Sequence, residues 1–175
     1  GPGLNAHWRA ARELLGERQQ RLKQDPANLE DLAWSGYDAA TIQEYELARS
    51  SIDAALRVDP DNPTANNLKA RICLFGPLRF RNPQVGLAHA QRAFQAKPQK
   101  FHATTLAAGL IRTGRVPDAK PLLSEQVQAV DQIHDLFLLA LVHQHEGNTP
   151  RARDFYERGC AELSDYQASK SLLEL

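Results

Sequence analysis

Small residues recur in this sequence at a fixed interval, and that interval is the strongest constraint on the fold. Gly114 and Gly147 are 33 residues apart, and so are Ala119 and Ala152. Each glycine ends a segment with helical apolar spacing, and each alanine lies five residues further on. Such a period, with small residues at fixed places, is typical of stacked helical hairpins in which each repeat packs against its neighbours.

Two earlier segments have the same pattern. In each, two small residues lie seven apart and a proline follows the second after five residues: Ala48, Ala55 and Pro60, then Gly86, Ala93 and Pro98. Proline cannot continue a helix, so these prolines are expected to close the second helices of two hairpins. Abundant alanine, leucine, glutamine and arginine also favour helix.

Small residues also occupy one matching position in each predicted first helix, where they let two antiparallel helices approach to about 8–10 Å. They are Gly36, Ala70, Ala107 and Ala140. Prolines fall at or near the starts of second helices, where a missing N–H costs nothing; these are Pro83, Pro117 and Pro150. Asn82 and Thr149 are the predicted N-caps of two of these helices.

The spacing of five residues in particular resembles the tetratricopeptide repeat (TPR): Trp34, Gly36, Ala48, Ala55 and Pro60. The resemblance covers four repeats, at residues 29–62, 63–100, 101–133 and 134–166. It implies an all-α fold, a right-handed α-solenoid of about four helical hairpins, within a single domain at residues 4–175.

Two of the four repeats depart from the TPR pattern. Ala48 and Gly86 are 38 residues apart, so about four extra residues lie within the segment 75–83. The third repeat lacks the small residue and the proline that are usual near the end of a repeat. Pro121 is expected to kink or shorten the second helix of that repeat.

Three segments together look like repeat arrays at the C-terminal ends of large bacterial, planctomycete-type serine/threonine kinases and their relatives. The segments are Arg79–Gln99, Thr105–Ala119 and Asp135–Gly159. This weaker resemblance concerns only the context of the chain, because no kinase motif is present. It implies a bacterial origin and a larger parent protein.

The two ends of the chain are expected to cap the array. Residues 1–3, Gly-Pro-Gly, are typical of a remnant of protease cleavage and are left out of the fold. Residues 5–25 have helical apolar spacing but no first helix before them, so they form either a cap or part of a longer array. Residues 166–175 are predicted to form a C-terminal capping helix over the last repeat.

The charge balance gives no reason to expect nucleic acid or a membrane as a partner. Basic and acidic residues both number 21, and no apolar run approaches the roughly 18–20 residues of a membrane span. The Phe80 ring lies between two arginines in the sequence, Arg79 and Arg81. Sites for single-stranded nucleic acid combine aromatic rings and cations in this way. The rest of the chain lacks a basic stripe, so a solvated loop with a packed ring is the preferred interpretation. The compartment stays open, with the cytoplasm favoured.

The stretch from His143 to Gly147 is the strongest candidate in the sequence for a metal or catalytic site. Metal-binding histidines on one helix are usually four apart, whereas His143 and His145 are two apart and point about 200° away from each other. His143 is expected to face the partner helix, and Gly147 to take the left-handed conformation of a helix C-cap. We interpret the stretch as a joint between helices, and we expect no metal and no cofactor.

Other catalytic signatures are missing from the sequence as well. No phosphate-binding loop, dinucleotide-binding motif or serine-hydrolase motif occurs. The two cysteines, Cys73 and Cys160, cannot build a disulfide framework, and packing is the expected role of both. We therefore expect no catalytic residues and a protein that is not an enzyme.

The resemblance to TPR proteins implies a concave groove, lined by the first helices, that holds a peptide. In that frame the groove residues are Tyr37, Thr41, Asn67, Arg71, Phe75, Thr104, Arg112, Phe137, Leu141 and His145. Asn67 and Arg71, one helical turn apart, are expected to offer donors to a carboxylate, and Arg112 to add a cation from the next repeat. The basic clamp by which some TPR proteins hold C-terminal carboxylates is not matched here.

The expected function is a non-catalytic interaction or scaffold module. Its partner would be a protein or peptide, or another domain of the same chain. Self-assembly through the N-terminal helix, giving a homodimer or larger oligomer, is an alternative that the residues leave open. A TPR-type chaperone or adaptor is another.

Overall fold

The computed structural model describes residues 2–126 and 133–172, with side chains described for 7–126 and 133–165. Those residues contain nine α-helices, two short 3-10 turns and no strand. The chain divides into two compact units, residues 1–97 and 98–175. The division falls close to the predicted boundary between the second and third repeats. The end of the third predicted repeat and residues 173–175 of the predicted cap lie outside the described residues.

The first unit contains five helices. They are α1 (Pro2–Gln24), α2 (Leu29–Thr41), α3 (Tyr45–Val58), α4 (Pro63–Phe75) and α5 (Pro83–Ala96). Helices α2 and α3 form one hairpin, α4 and α5 form the next, and α1 packs against α2. Asn28, Asn62 and Asn82 begin α2, α4 and α5, where each side chain accepts a hydrogen bond from the backbone N–H three residues on. The predicted N-cap at Asn82 is therefore confirmed.

In residues 98–126 and 133–172 the second unit contains four helices, and one of them is very short. They are α6 (Lys100–Arg112), α7 (Val116–Ala119), α8 (Ile133–His145) and α9 (Thr149–Leu172). A 3-10 turn at Lys120–Leu122 follows α7 directly. Pro121 lacks the N–H that an α-helix would need at this point, and the predicted shortening of this helix is confirmed.

The N-cap of α9 and the C-terminal extent of the helix both differ from the prediction. Asn148, not Thr149, caps the helix, because its side chain accepts a hydrogen bond from the Arg151 N–H at 3.3 Å. The helix then continues through residue 166, where a separate capping helix was expected to begin. No proline or glycine follows Gly159 in the sequence, so nothing in the chain breaks the helix there.

The periodic small residues lie where the helices of one hairpin approach each other. A Cβ atom on Gly36 would collide with the Ile52 side chain of α3, and one on Gly86 would lie 2.8 Å from Cγ of Leu74. Six alanines of the pattern are fully buried: Ala48, Ala55, Ala70, Ala93, Ala107 and Ala119. Close approach of the backbones therefore requires these residues to be small.

Three turns between paired helices have the same backbone geometry. Gln43, Gly114 and Gly147 have positive φ angles of 66°, 81° and 75°. In each turn the next residue donates its N–H to the carbonyl oxygen five residues earlier, at 2.8 to 2.9 Å. This is the Schellman pattern of helix termination, which confirms the predicted C-cap at Gly147. Gln43 occupies the position that glycine takes in the other two turns.

Buried ion pairs attach α1 to α2. Asp31 and Asp38 of α2 are 5% and 3% exposed. Arg18 of α1 donates to Asp38 at 2.9 Å, and Arg21 donates to both carboxylate oxygens of Asp31 at 2.9 and 2.7 Å. The hydrogen bonds from Arg21 hold the pKa of Asp31 below its usual value. The N-terminal helix is thus held by charge as well as by the apolar contacts of Ala11 and Leu15.

A buried carboxylate organises the second unit around the short helix. Asp135 of α8 is fully buried and lies 2.6 Å from the Lys100 Nζ atom. The Thr104 hydroxyl donates to it at 2.6 Å, and the Ser124 N–H at 2.9 Å. Lys100 also donates to the carbonyl oxygen of Leu122 at 3.0 Å. These bonds fasten the segment after α7 to α6 and α8.

We predict that Gln43→Gly stabilises the protein. A residue with a side chain in the left-handed region costs about 1–2 kcal/mol, part of which is offset by the greater freedom of glycine in the unfolded chain. The free energy of unfolding measured in urea should rise by about 0.5–1 kcal/mol. Gly114→Ala is the matched control and should lower it by about 1 kcal/mol. A loss of stability in Gln43→Gly would contradict the geometry of this turn.

We predict that Asp31→Asn lowers the free energy of unfolding at neutral pH by about 2 kcal/mol, because the buried carboxylate that pairs with Arg18 and Arg21 loses its charge. The pKa of Asp31 is depressed in the folded protein, so its contribution is complete above the ordinary pKa of the carboxyl group. That contribution disappears as pH falls through the lower folded value. The difference between the two proteins should therefore shrink in acid. Asp61→Asn, at an exposed site, should change little at either pH.

Candidate functional site

A cavity of about 260 Å³ lies between α2, α3 and α4 of the first unit. The C-terminal halves of α2 and α4 meet the N-terminal half of α3 there, as expected for successive helices that reverse direction. Ile52, Leu68 and Ile72 supply buried apolar lining. Arg71 adds a cation to the lining, and Thr41 and two tyrosines add hydroxyl groups.

Small residues on α2 create the space. Gly36 and Ala40, one turn apart, both line the cavity, and neither has a side chain large enough to fill it. The Thr41 hydroxyl donates to the carbonyl oxygen of Tyr37 at 3.0 Å, so it is engaged by its own helix. The tight turn at Gln43 returns the chain so that Tyr45, the first residue of α3, also reaches the cavity.

Arg71 is the electrostatic feature of the cavity. Solvent reaches this residue, yet the protein atoms around its guanidinium lower its pKa below the usual value. The Tyr37 phenol acts in the opposite direction but is the weaker influence. Within the described part of the chain, no carboxylate lies within ion-pair distance of Arg71. The cation therefore lines the cavity without a counter-ion from the described part of the fold.

Aromatic rings surround the cavity at the surface. Trp34 and Tyr37 on α2 pack edge to face with ring centroids 5.6 Å apart. They are 38% and 37% exposed, and Phe75 on α4 is 45% exposed. Exposed aromatic side chains of this kind are enriched at the energetic centres of protein interfaces. The rings of Tyr37 and Phe75 also line the cavity itself.

The structure brings together four of the five groove residues predicted in the first unit. Tyr37, Thr41, Arg71 and Phe75 all line the cavity. Asn67 does not, because it is buried at 2% exposure and its Oδ1 atom has no hydrogen-bond partner among the described residues. The expectation that Asn67 offers its amide beside Arg71 is therefore corrected. Asn67 lies one helical turn before Arg71 on α4, but its side chain is not accessible to a ligand.

The five groove residues predicted in the second unit have different environments. The Thr104 hydroxyl is bonded to Asp135, and the Phe137 ring packs on α9, where a Cβ on Gly159 would lie 3.0 Å away from it. Both therefore contribute to packing within the unit. Leu141 is 53% exposed, and Arg112 and His145 are exposed as well. These three side chains are therefore on the surface of the second unit.

Sequence reasoning missed one wall of the cavity. Tyr45 and Ile52 come from α3, a second helix, whereas the repeat frame assigned the groove to first helices alone. Gly76, just after α4, also belongs to the lining. In the sequence, Tyr45 directly follows the turn between α2 and α3. A residue at that position lies beside the end of α2, and this was the signal for its place in the cavity lining.

The two histidines of the stretch from His143 to Gly147 lie in different environments. His143 is buried, and its ring stacks on Phe155 of α9 at 5.3 Å between centroids. Its Nδ1 atom lies 3.0 Å from Glu146 Oε2. The Lys120 ammonium group, and to a smaller extent His143, hold the pKa of Glu146 below its usual value. His145 is exposed, so the stretch is a joint between α8 and α9, as the sequence indicated.

The cysteines differ from each other. Cys73 is buried, and burial raises the pKa of its thiol, which disfavours the reactive thiolate. Cys160 is exposed, so the expectation that it packs in the interior is wrong. Among the described residues, no three side chains of His, Cys, Asp or Glu come together as a metal site would require.

The insertion after α4 forms a 3-10 turn at Leu78–Phe80. Phe80 is 8% exposed and packs near Tyr45, with ring centroids 5.8 Å apart. Arg79 covers the outer side of the Phe80 ring at 4.8 Å. The ring is therefore part of the core, as the preferred interpretation held. Leu78, by contrast, is 80% exposed.

These features define a class of protein, an all-α chain with a TPR-like helical-repeat fold. The crystal structure of MamA, a TPR-like helical solenoid, is similar, with a TM-score of 0.63 and 15% identity over 88% of this chain and 89% of that chain. The predicted all-α, TPR-like fold class is thereby confirmed, and at this identity the likeness concerns the fold alone. No protein-family model and no curated protein matches the chain. None of the helices in the described ranges is long and apolar enough to cross a membrane.

We predict that Arg71→Met leaves the free energy of unfolding unchanged or slightly raised, because Arg71 is exposed, has no ion-pair partner among the described residues, and methionine keeps a long apolar side chain. Lys69→Met on the same helix is the control. Lys69 lies 2.5 Å from Asp53, so this substitution breaks an ion pair and should lower stability. Equal losses in both variants, measured by urea unfolding, would mean that the Arg71 charge is balanced within the fold.

Proposed function

We propose that the chain is a non-catalytic interaction module that binds a protein partner through the cavity of the first unit and the aromatic residues around it. The observation that supports this most directly is the cluster of Trp34, Tyr37 and Phe75 beside an open cavity with buried apolar residues in its lining. A small enzyme site would instead need converging titratable groups, and Arg71 is the single charged side chain of the lining.

The finer features of this proposal come from the sequence. The chain acts as a TPR array, and an extended peptide crosses its first helices in the manner implied by the TPR resemblance. The exposed residues Arg112, Leu141 and His145 offer further contacts on the second unit. The resemblance to arrays at the ends of large bacterial kinases suggests a partner domain in the same parent protein.

Self-assembly through α1 is a second candidate, favoured by one observation. Trp8 and Leu14 on α1 are 37% and 43% exposed, whereas Ala11 and Leu15 on the same helix are buried. Helix α1 thus presents apolar surface on a side that does not contact α2. Light scattering over a concentration series separates this candidate from peptide binding, because self-assembly requires a mass that rises with concentration.

Selection from a displayed library of random dodecapeptides tests the leading proposal. Peptides that bind the immobilised chain should lose at least about tenfold in affinity for the Tyr37→Ser/Phe75→Ser variant, because two exposed aromatic anchors are removed. Val58→Ser/Leu163→Ser, two exposed apolar sites outside the cavity, is the matched control and should retain affinity. The measurement is fluorescence polarisation with the selected peptides.

Two results count against the proposal. One is a selection that yields no peptide with measurable affinity for the native chain. The other is a set of peptides that bind the native chain and the Tyr37→Ser/Phe75→Ser variant equally well. Circular dichroism of each variant verifies that the helices are intact.

A further inference from the structure

Arg71 differs in its charge environment from Arg18 and Lys69, two cations of the first unit that are more buried than Arg71. Arg18 lies 2.9 Å from Asp38, and Lys69 lies 2.5 Å from Asp53. Arg71 follows Lys69 by two residues, so it points to the other side of α4, where no described carboxylate reaches it. Arg18 and Lys69 are thus each paired with a carboxylate, and among the described residues Arg71 is not. The cavity leaves one charge uncompensated.

The surroundings of Arg71 suit a carboxylate better than a neutral group. A guanidinium pairs with a carboxylate through two parallel hydrogen bonds, and such a pair is stronger where water is partly excluded. Apolar side chains line the same cavity, including Ile52 and Leu68. A ligand that adds a carboxylate and an apolar group at once would satisfy both properties of the site.

The shape of the surface favours an acidic residue within a peptide over a chain end. Trp34 lies one turn before Tyr37 on α2, and Leu78 follows the end of α4. Both side chains are exposed, and they belong to two different segments that border the cavity, one next to Tyr37 and the other two residues after Gly76. A chain that ends at Arg71 would leave one of them uncovered, whereas a chain that continues past Arg71 covers both.

We propose that the cavity receives the side-chain carboxylate of an aspartate or glutamate from the interior of a partner peptide, with apolar residues on both sides of it. This inference rests on the proposed function and specifies the chemistry of the partner. The chain carries equal numbers of acidic and basic residues, so long-range attraction adds little, and recognition depends on the local pair. Arg71 is the residue that selects the acidic side chain.

A double-mutant cycle tests this pairing. The probes are the peptides selected from the dodecapeptide library, each compared with its Glu→Gln or Asp→Asn counterpart and with a C-terminally amidated form. The proteins are the native chain, Arg71→Met, Arg71→Lys and the control Arg57→Met, whose exposed arginine lies outside the cavity. Affinity is measured by fluorescence polarisation.

The expected result is an acidic residue shared by the selected peptides. Its conversion to the amide should weaken binding to the native chain and to Arg57→Met by about tenfold or more, as for a charge-assisted pair. The same conversion should change affinity less than about twofold in Arg71→Met, with Arg71→Lys intermediate because lysine keeps the charge but not the fork. Amidation of the C-terminus should have no effect.

Several outcomes would overturn the inference, and they differ from failure of the proposed function. Peptides that need Tyr37 and Phe75 but share no acidic residue would leave the interaction module intact and remove the role of Arg71. The same conclusion follows if the amide peptides lose equal affinity for the native chain and Arg71→Met. A loss of binding on C-terminal amidation would assign the site to a chain end. If no peptide requires Tyr37 and Phe75, both proposals fail together.

Discussion

Close contact between paired helices is the constraint on which the rest of this structure depends. At Gly36 and Gly86 an added Cβ would collide with a side chain of the neighbouring helix, and six alanines of the same pattern are fully buried. Backbones can approach this closely only where side chains are small. The hairpins and the position of the cavity both follow from this contact. Most of the chain's helical stability then comes from packing of this kind and not from helix propensity.

Polar contacts supplement the packing where the repeat pattern is incomplete. Helix α1 has no first helix of its own, and Arg18 and Arg21 bind it to buried carboxylates of α2. In the second unit α7 has only four residues, and Asp135 fastens the following segment through Lys100 and Ser124. Buried charges that are paired and hydrogen-bonded can hold such segments in one position, although they add less stability than apolar packing.

The sequence predicted the hairpins well because small residues and helix-ending prolines and glycines each have a simple physical cause. Tyr37, Thr41, Arg71 and Phe75 were placed on one surface by the resemblance to TPR proteins, whose first helices line the groove. Burial was harder to predict, since it depends on the distance to the next element. Asn67 shares that side with Arg71 and is nevertheless buried, and the Phe137 ring turns toward Gly159. The left-handed conformation of Gln43 had no signal in its residue type, because glycine is the usual choice there.

The small side chain at Ala40 leaves room for a ligand in the first unit, whereas the packing of the hairpin depends on a different residue. Ala40 is only partly buried and borders the cavity, whereas Gly36, one turn before it, is pressed against α3. A bulkier residue at position 40 would occupy the empty volume and leave the hairpin contact at position 36 undisturbed. Chains that share this architecture can therefore gain or lose a recognition pocket through a single substitution, and conservation of the scaffold does not imply conservation of what it holds.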